Sequence, residues 1–182
     1  MPVKINGATS GSVTLAAPAT GSDVTLTLPD AINAKLDIAG GKIVQTVFAS
    51  TTTLVNTTST SFVDSGLSAT ITPTSASNKV LVLVSQNTLI NRSSANTAML
   101  RMQLLRAATV IINGSGEQFG TYENTLVDRG HRGYVVLNTL DTPATTSATT
   151  YKTQMRCDAA SSDLYAQSDN AFSSMILMEV SA

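Results

Sequence analysis

Asn113 to Gly133, NGSGEQFGTYENTLVDRGHRG, gathers Phe119, Tyr122, Glu123, Asp128, Arg129, His131 and Arg132. The whole chain is only 13% charged and 4% aromatic, so both types are concentrated here. Aromatic rings stack on sugar faces, and guanidinium groups pair with carboxylates or phosphates, so this set suits glycan recognition. The same residues suit a long loop held by its own ion pairs or packed on a neighbouring subunit, because ligand loops and interface loops share this make-up.

Catalytic chemistry finds less support. Asp64, Glu117, Glu123, Asp128, Asp141, Asp158, Asp163, Asp169 and Glu179 are the acids after the first quarter of the chain, and most lie in turn-like segments. A glycosidase needs two carboxylates facing each other across a bound sugar, and no spacing singles out such a pair. Asp158 and Asp163 flank one turn, where Asp is at home for conformational reasons. The single cysteine, Cys157, sits in the alternating run TYKTQMRC and reads as a buried strand residue. The single histidine, His131, is remote from it in sequence, so neither an activated thiol nor a His/Cys ligand set is expected. Gly114, Gly116 and Gly120 lack the Lys-Ser/Thr ending of a phosphate loop and read as turn glycines. The expectation is no catalytic residues, no metal ligands and no cofactor: not an enzyme.

The elements that must position these residues are strands. About a quarter of the chain is Ser or Thr, and charge is half the usual share of about 25%. Thr suits a pleated strand, while Ser, Gly and Asn suit the turns between strands. With 42% hydrophobic residues and mean hydropathy of +0.15, the chain is too apolar for a disordered tail. A net charge of -1 and a pI near 5.7 leave no electrostatic footprint for nucleic acid. Few charges on a folded surface point to a homo-oligomer, whose interface cores are charge-poor. The longest strongly apolar stretch, Val80 to Val84, is far short of the roughly 20 residues of a membrane helix, and MPVKINGATSG has no apolar signal-peptide core. A soluble protein with no membrane insertion and no export signal is expected.

The chain divides into an N-terminal arm and neck, 1–40, and a main domain, 41–182. In the arm, Val13 and Leu15, then Val24, Leu26 and Leu28, alternate with Ser and Thr on either side of an APATGSD turn. Two such strands cannot bury their apolar face alone; they need other chains, or they fold back on the following domain. DAINAKLDIAGG reads as a two-turn helix stopped by Gly40 and Gly41. In the main domain, strands are expected over 42–49, 61–63, 67–72, 79–90, 98–105, 109–112, 133–139, 149–157, 164–166 and 174–180. Turns are expected at 64–66, 73–78, 113–116, 141–147 and 159–163. This spacing predicts an all-β protein: a short strand arm followed by an antiparallel, jelly-roll-like β-sandwich.

SGSVTLAAPATGSDVTLTLP (Ser10 to Pro29) and STSFVDSGLSATITPTSASNKVLVLVSQN (Ser59 to Asn87) resemble segments found together in bacteriophage virion proteins, especially tail-fibre and related fibre-like proteins. The likeness continues through Ile43, Val44 and Gln45, the KVLVLV strand, LDTPATTSATTYKTQ (Leu140 to Gln154) and the terminal SSMILMEVSA (Ser173 to Ala182). KLDIAGG is similar to neck sequences in phage tail fibres. The resemblance implies a homotrimeric virion protein made in the host bacterial cytoplasm. Its arm would anchor to other virion proteins of the tail, baseplate or capsid, with Val13, Leu15, Val24, Leu26 and Leu28 near the threefold axis. Its sandwich would meet a host cell-surface glycan through Tyr122, Glu123, Asp128, Arg129, His131 and Arg132. Similar sandwiches decorate capsids or form head fibres, and a surface-polysaccharide depolymerase is the enzymatic alternative. In the trimer, Leu26→Asp places a charge in an apolar contact at a cost of several kcal/mol per chain. Native mass measurement should then show loss of arm assembly, while circular dichroism reports an intact sandwich.

Overall fold

Aliphatic residues alternating with Ser and Thr make strands nearly everywhere the chain is described. The computed structural model describes residues 3–6, 12–15, 42–92, 98–114, 119–121, 129–159 and 162–182. These belong to two units, Met1–Ala39 and Gly40–Ala182. In the first, β1 (Val3–Asn6) pairs antiparallel with β2 (Ser12–Leu15), setting Val3 opposite Leu15 and Ile5 opposite Val13. The strand through Val13 and Leu15 was expected, but its partner was not: VKIN is too short to show a period in sequence. Val24, Leu26 and Leu28, and the expected neck helix, lie outside the described residues.

The second unit is an antiparallel β-sandwich. Its strands are β3 (Ile43–Thr51), β4 (Val55–Thr57), β5 (Val63–Ile71), β6 (Lys79–Arg92), β7 (Ala98–Arg106), β8 (Thr109–Ile112), β9 (Phe119–Thr121), β10 (Arg129–Asp141), β11 (Thr149–Cys157), β12 (Ser162–Ala166) and β13 (Ser173–Val180). One sheet is organised on the long strand β6. Along one flank β6 pairs first with β13 and then with β12, which carry β3 and β4 respectively; along the other it pairs with β10 throughout. The second sheet runs β5-β11-β7, with β8 and β9 sharing the far side of β7. Between them, Val80, Val82, Val84, Leu137, Met175 and Leu177 of the first sheet meet Leu67, Ile71, Leu100, Met102, Leu104, Tyr151 and Met155 of the second, all buried. Each large aliphatic side chain so buried contributes roughly 1.5–3 kcal/mol.

Two expected strands, 61–63 and 67–72, are one strand, β5, and the expected turn at 64–66 is a bulge within it. Lys152 faces Ser68 and Gln154 faces Asp64, so Ser65, Gly66 and Leu67 of β5 stand against the single residue Thr153. Gly66 holds φ at +81°, which a side chain resists, and an added Cβ would meet Val55 at 3.0 Å. The bulge turns Ser65 inward, where its hydroxyl bonds Thr153 and lies near Gln86. Gln86 in turn meets Gln167, whose amide nitrogen faces the Thr53 and Ser65 carbonyls while its oxygen faces Ser173 Oγ at 3.0 Å. This buried polar layer sits where β6 exchanges β13 for β12, and Ser173 Oγ there accepts from Asn87 N at 2.9 Å.

A second buried polar site closes the opposite end. Glu179 of β13 is fully buried, yet its carboxylate accepts from Asn78 Nδ2 (2.6 Å), Thr74 N (2.7 Å), Thr74 Oγ1 (2.8 Å) and Gln45 Nε2 (2.6 Å). Gln45 Nε2 also donates to Thr72 O at 2.7 Å, and Asn78 Oδ1 accepts from Ala182 N at 3.2 Å. Burial pushes the Glu179 pKa up, but the donors from Asn78, Gln45 and Thr74 outweigh it and hold it down to about 2. The folded pKa is below the unfolded value, so this stabilisation is complete above pH 4.5 and is lost as pH falls towards 2. Thermal melts across that window should show Tm falling with pH. Glu179→Gln, which turns an amide NH2 toward existing donors, should cost about 2–4 kcal/mol at pH 7 and flatten the acid dependence.

Candidate interaction surface

The register along β6 gives the sandwich two chemically distinct ends. Lys79 at its start faces Val180 close to the Glu179 site, and Ile90 near its finish faces His131. The eleven steps between them span about 36 Å at about 3.3 Å per residue. At the far end gather the strand termini Arg92, Ala98, Thr121, Arg129 and Ser162. Arg129, His131 and Arg132 therefore lie opposite the end at which Lys42 enters the sandwich.

They are not in a loop, as expected, but form the start of β10, paired with Arg92, Ile90 and Leu89. Their polar composition hides the strand in sequence; what makes it one is the length of β6, which extends to Arg92 and supplies the hydrogen-bond partners. Phe119, also expected in the loop, begins β9. Arg132 forms an ion pair with Asp169 on the turn Ser168–Asn170, in an exposed setting that contributes about 0–1 kcal/mol. Tyr122, Glu123 and Asp128 lie outside the described residues. In the arm, Val13 and Leu15 occupy β2 as paired positions.

The outward faces of the two sheets differ in kind. On the second sheet, Lys152 and Asp64 pair at 2.9 Å, Gln154 donates to Asp64 at 2.7 Å, and Gln103 donates to Gln154 at 2.8 Å. Lys152, and then Gln154, hold the Asp64 pKa below its usual value. Further along, Asp158 is held by Arg101 and lies 3.3 Å from Arg156, whose guanidinium stands 5.3 Å over the Phe62 ring. The hydrogen bond from Arg101 holds the Asp158 pKa down. This is a solvated, ion-paired surface.

The outward face of the first sheet has no charge in its central rows. Register aligns Ser50, Ser174, Ser85 and Val136; then Phe48, Ile176, Leu83 and Asn138; then Thr46, Met178, Leu81 and Leu140. Phe48, Val136 and Leu140 are 59%, 60% and 51% exposed, and Phe48 stacks on the half-exposed Phe172 at 6.3 Å. KVLVLV and SMILMEV, apolar at inward and outward positions alike, are expected from sequence to be buried on both faces or central in a sheet, and β6 and β13 are central here.

The remaining reactive groups are in structural roles. Tyr151 is buried and donates to Asp141 Oδ2 at 2.7 Å, and Arg106 Nη1 lies 2.7 and 2.8 Å from the two Asp141 oxygens. Among the described residues no three His, Cys, Asp or Glu side chains are grouped to hold a metal ion. Cys157 is buried in the core with Sγ 3.3 Å from Ser162 O. Burial, then the Asp163 and Asp158 charges, push its pKa up to about 11, so the thiol stays protonated and unreactive. Iodoacetamide at pH 8 should therefore label Cys157 only at the rate of global unfolding, and alkylation of native protein at the rate of a free thiol would contradict this.

No protein-family model matches the chain, and no curated protein matches it. Among solved structures, it is similar to the infectious bursal disease virus Gx strain structure at 12% identity and TM-score 0.33, covering 99% of this chain and 48% of that one. It is also similar to infectious bursal virus-derived particles at 13% identity and TM-score 0.37 (97% and 45% covered). A third likeness, to the VP2 subviral particle of infectious bursal disease virus, has 13% identity and TM-score 0.35 (98% and 45% covered). The chain spans less than half the length of each of these proteins.

Proposed function

We propose that this chain is a structural component of a bacteriophage virion, a trimeric tail fibre whose arm attaches to the particle and whose sandwich meets the host surface. The observation that carries this reading is where the fibre-like motifs meet. Gln45 of the Ile-Val-Gln segment, Thr74 after the Thr-Pro pair and Asn78 before KVLVLV all donate to the carboxylate of Glu179 in the terminal strand, and Thr72 O accepts from the same Gln45 amide. The likeness to phage fibre proteins thus follows a physical unit of the fold, the closure of one end of the sandwich. At the opposite end Arg129, His131 and Arg132 open β10, with Arg132 on the other face of the strand from the first two positions, and a receptor site there would face away from the chain's point of entry.

The chain acts by binding, not by turnover. Its described carboxylates at Asp64, Asp141 and Asp158 are engaged by Lys152, Arg106 and Arg101. Incubation of the purified protein with host capsule or lipopolysaccharide should release no oligosaccharide; catalytic release would favour the depolymerase.

Immunogold labelling of whole particles should place the protein on the tail, and label across the head would reassign it to capsid decoration. The combined change Tyr122→Ala and Arg132→Ala should reduce adsorption of particles to host cells without altering Tm or trimer mass. Asp169→Ala breaks the Arg132 ion pair but keeps the guanidinium, and should leave adsorption intact. A trimer that falls apart in the Tyr122/Arg132 variant while adsorption holds would make this end a subunit contact.

A further inference from the structure

We propose that the turn Ser168–Asn170 occupies a binding site for the carboxylate-bearing unit of an acidic saccharide, with Asp169 resting on Arg132 where the ligand's own carboxylate binds. The inference rests on the receptor reading above and names its subsite and ligand class. The platform is the outward face of β10, where Arg132 and Tyr134 stand two residues, about 7 Å, apart on the same side of the strand. Tyr134 is 56% exposed, and register sets it directly opposite Asn87. A phenol ring and a guanidinium so spaced hold one sugar unit, the ring against its C–H face and the guanidinium on its carboxylate. From Arg129 to Leu140 the strand carries two arginines and no acid, so the platform itself favours an anion.

The turn that closes this site has three marks of a stand-in. Asn87 lies on the outward face between the half-buried Ser85 and Leu89, yet it is only 3% exposed, because the turn packs against β6 there and Gln167 N donates to Asn87 O at 3.3 Å. Under that cover Asn87 Oδ1 and the Oγ of Ser168, a residue 5% exposed, are buried without a hydrogen-bond partner. Such atoms are costly to leave unbonded. The second mark is the backbone: Gln167, Asp169 and Asn170 hold φ at 56°, 54° and 57°, a left-handed conformation that costs energy and collects at ligand clamps. The third is the latch, since Arg132 and Asp169 are 47% and 72% exposed and their ion pair holds the turn only weakly.

These features make displacement of the turn inexpensive. Exchange of one carboxylate for another keeps the Arg132 guanidinium paired, so no charge is left bare. Movement of the turn also uncovers Asn87 and Ser168, which then bond the hydroxyls beside the incoming carboxylate. A neutral sugar has no group to exchange and does not dislodge Asp169. Repeated acidic units along a polysaccharide would engage several copies of the site at once.

The test titrates the full chain with glucuronate, galacturonate and N-acetylneuraminate, and with their methyl esters, read by saturation-transfer NMR. The free acids should bind at millimolar affinity, about tenfold more tightly than the esters. Asp169→Ala removes the internal competitor and should tighten acid binding about two- to fivefold. Tyr134→Ala should weaken it about tenfold, while Tyr134→Phe, which keeps the ring, should not, and Tm should be unchanged in both. Binding of none of the acids, equal binding of acids and esters, or weaker binding by the Asp169 variant overturns the proposal. If adsorption falls in the Tyr122/Arg132 variant while Tyr134→Ala alters neither adsorption nor titration, the receptor reading stands and this subsite does not. If the titrations follow the expected pattern while adsorption ignores both Tyr134→Ala and the Tyr122/Arg132 change, the subsite stands and the receptor reading falls.

Discussion

A carboxylate in the dry interior must be surrounded by donors, and the architecture of this sandwich answers that demand at Glu179. The two oxygens are met by neutral groups from β3, from the turn after β5 and from the residue before β6. A buried charge stripped of its donors costs several kcal/mol, so these segments cannot separate independently. They also come from both sheets, since β3, β6 and β13 belong to one and β5 to the other. One ionised group therefore sets the stacking of the sandwich at this end, and apolar packing fills what lies between.

Further along, the interior is polar again for a different reason. When β6 passes from β13 to β12, the backbone ladder is interrupted, and side chains take over. Asn87 N finds Ser173 Oγ, and Gln167 N donates to Asn87 O at 3.3 Å. Gln167 reaches this place through a left-handed φ of 56°, and Gly66 through one of 81° on the facing sheet. One strained residue, Gln167, and one glycine to which positive φ is open thus bring side-chain hydrogen bonds to a point where the regular pattern does not supply them.

The sequence was most legible where period and punctuation agreed. β8 and β11 have the expected limits: β11 alternates unbroken between turn residues, and β8 is a short β-branched run bounded by them. β7, rich in helix-favouring Leu and Met, is a strand because Leu100, Met102 and Leu104 alternate into the core. The reading failed where tertiary pairing overrode local signals. Asp-Ser-Gly looks like a turn but is a bulge, and Arg-Gly-His-Arg looks like a loop but is strand because β6 lies beside it. β4, three residues long, carries no period at all. The Glu179 site was out of reach, since its donors lie 134, 105 and 101 residues away along the chain. The uncharged face was written in KVLVLV and SMILMEV, yet only register could show that their outward halves adjoin.

The bonds between Lys42 and Ser181 join the first described residue of the sandwich to the end of its last strand, at 2.9 and 3.0 Å. From there β3 runs antiparallel to β13 along nearly its whole length. A tensile load applied at Lys42 and directed along β3 would strain that ladder in shear, with its hydrogen bonds sharing the force. A load directed sideways would peel the same bonds one by one, at far smaller force. A domain tethered at this point is thus mechanically anisotropic, resisting a lengthwise pull and yielding to a lateral one.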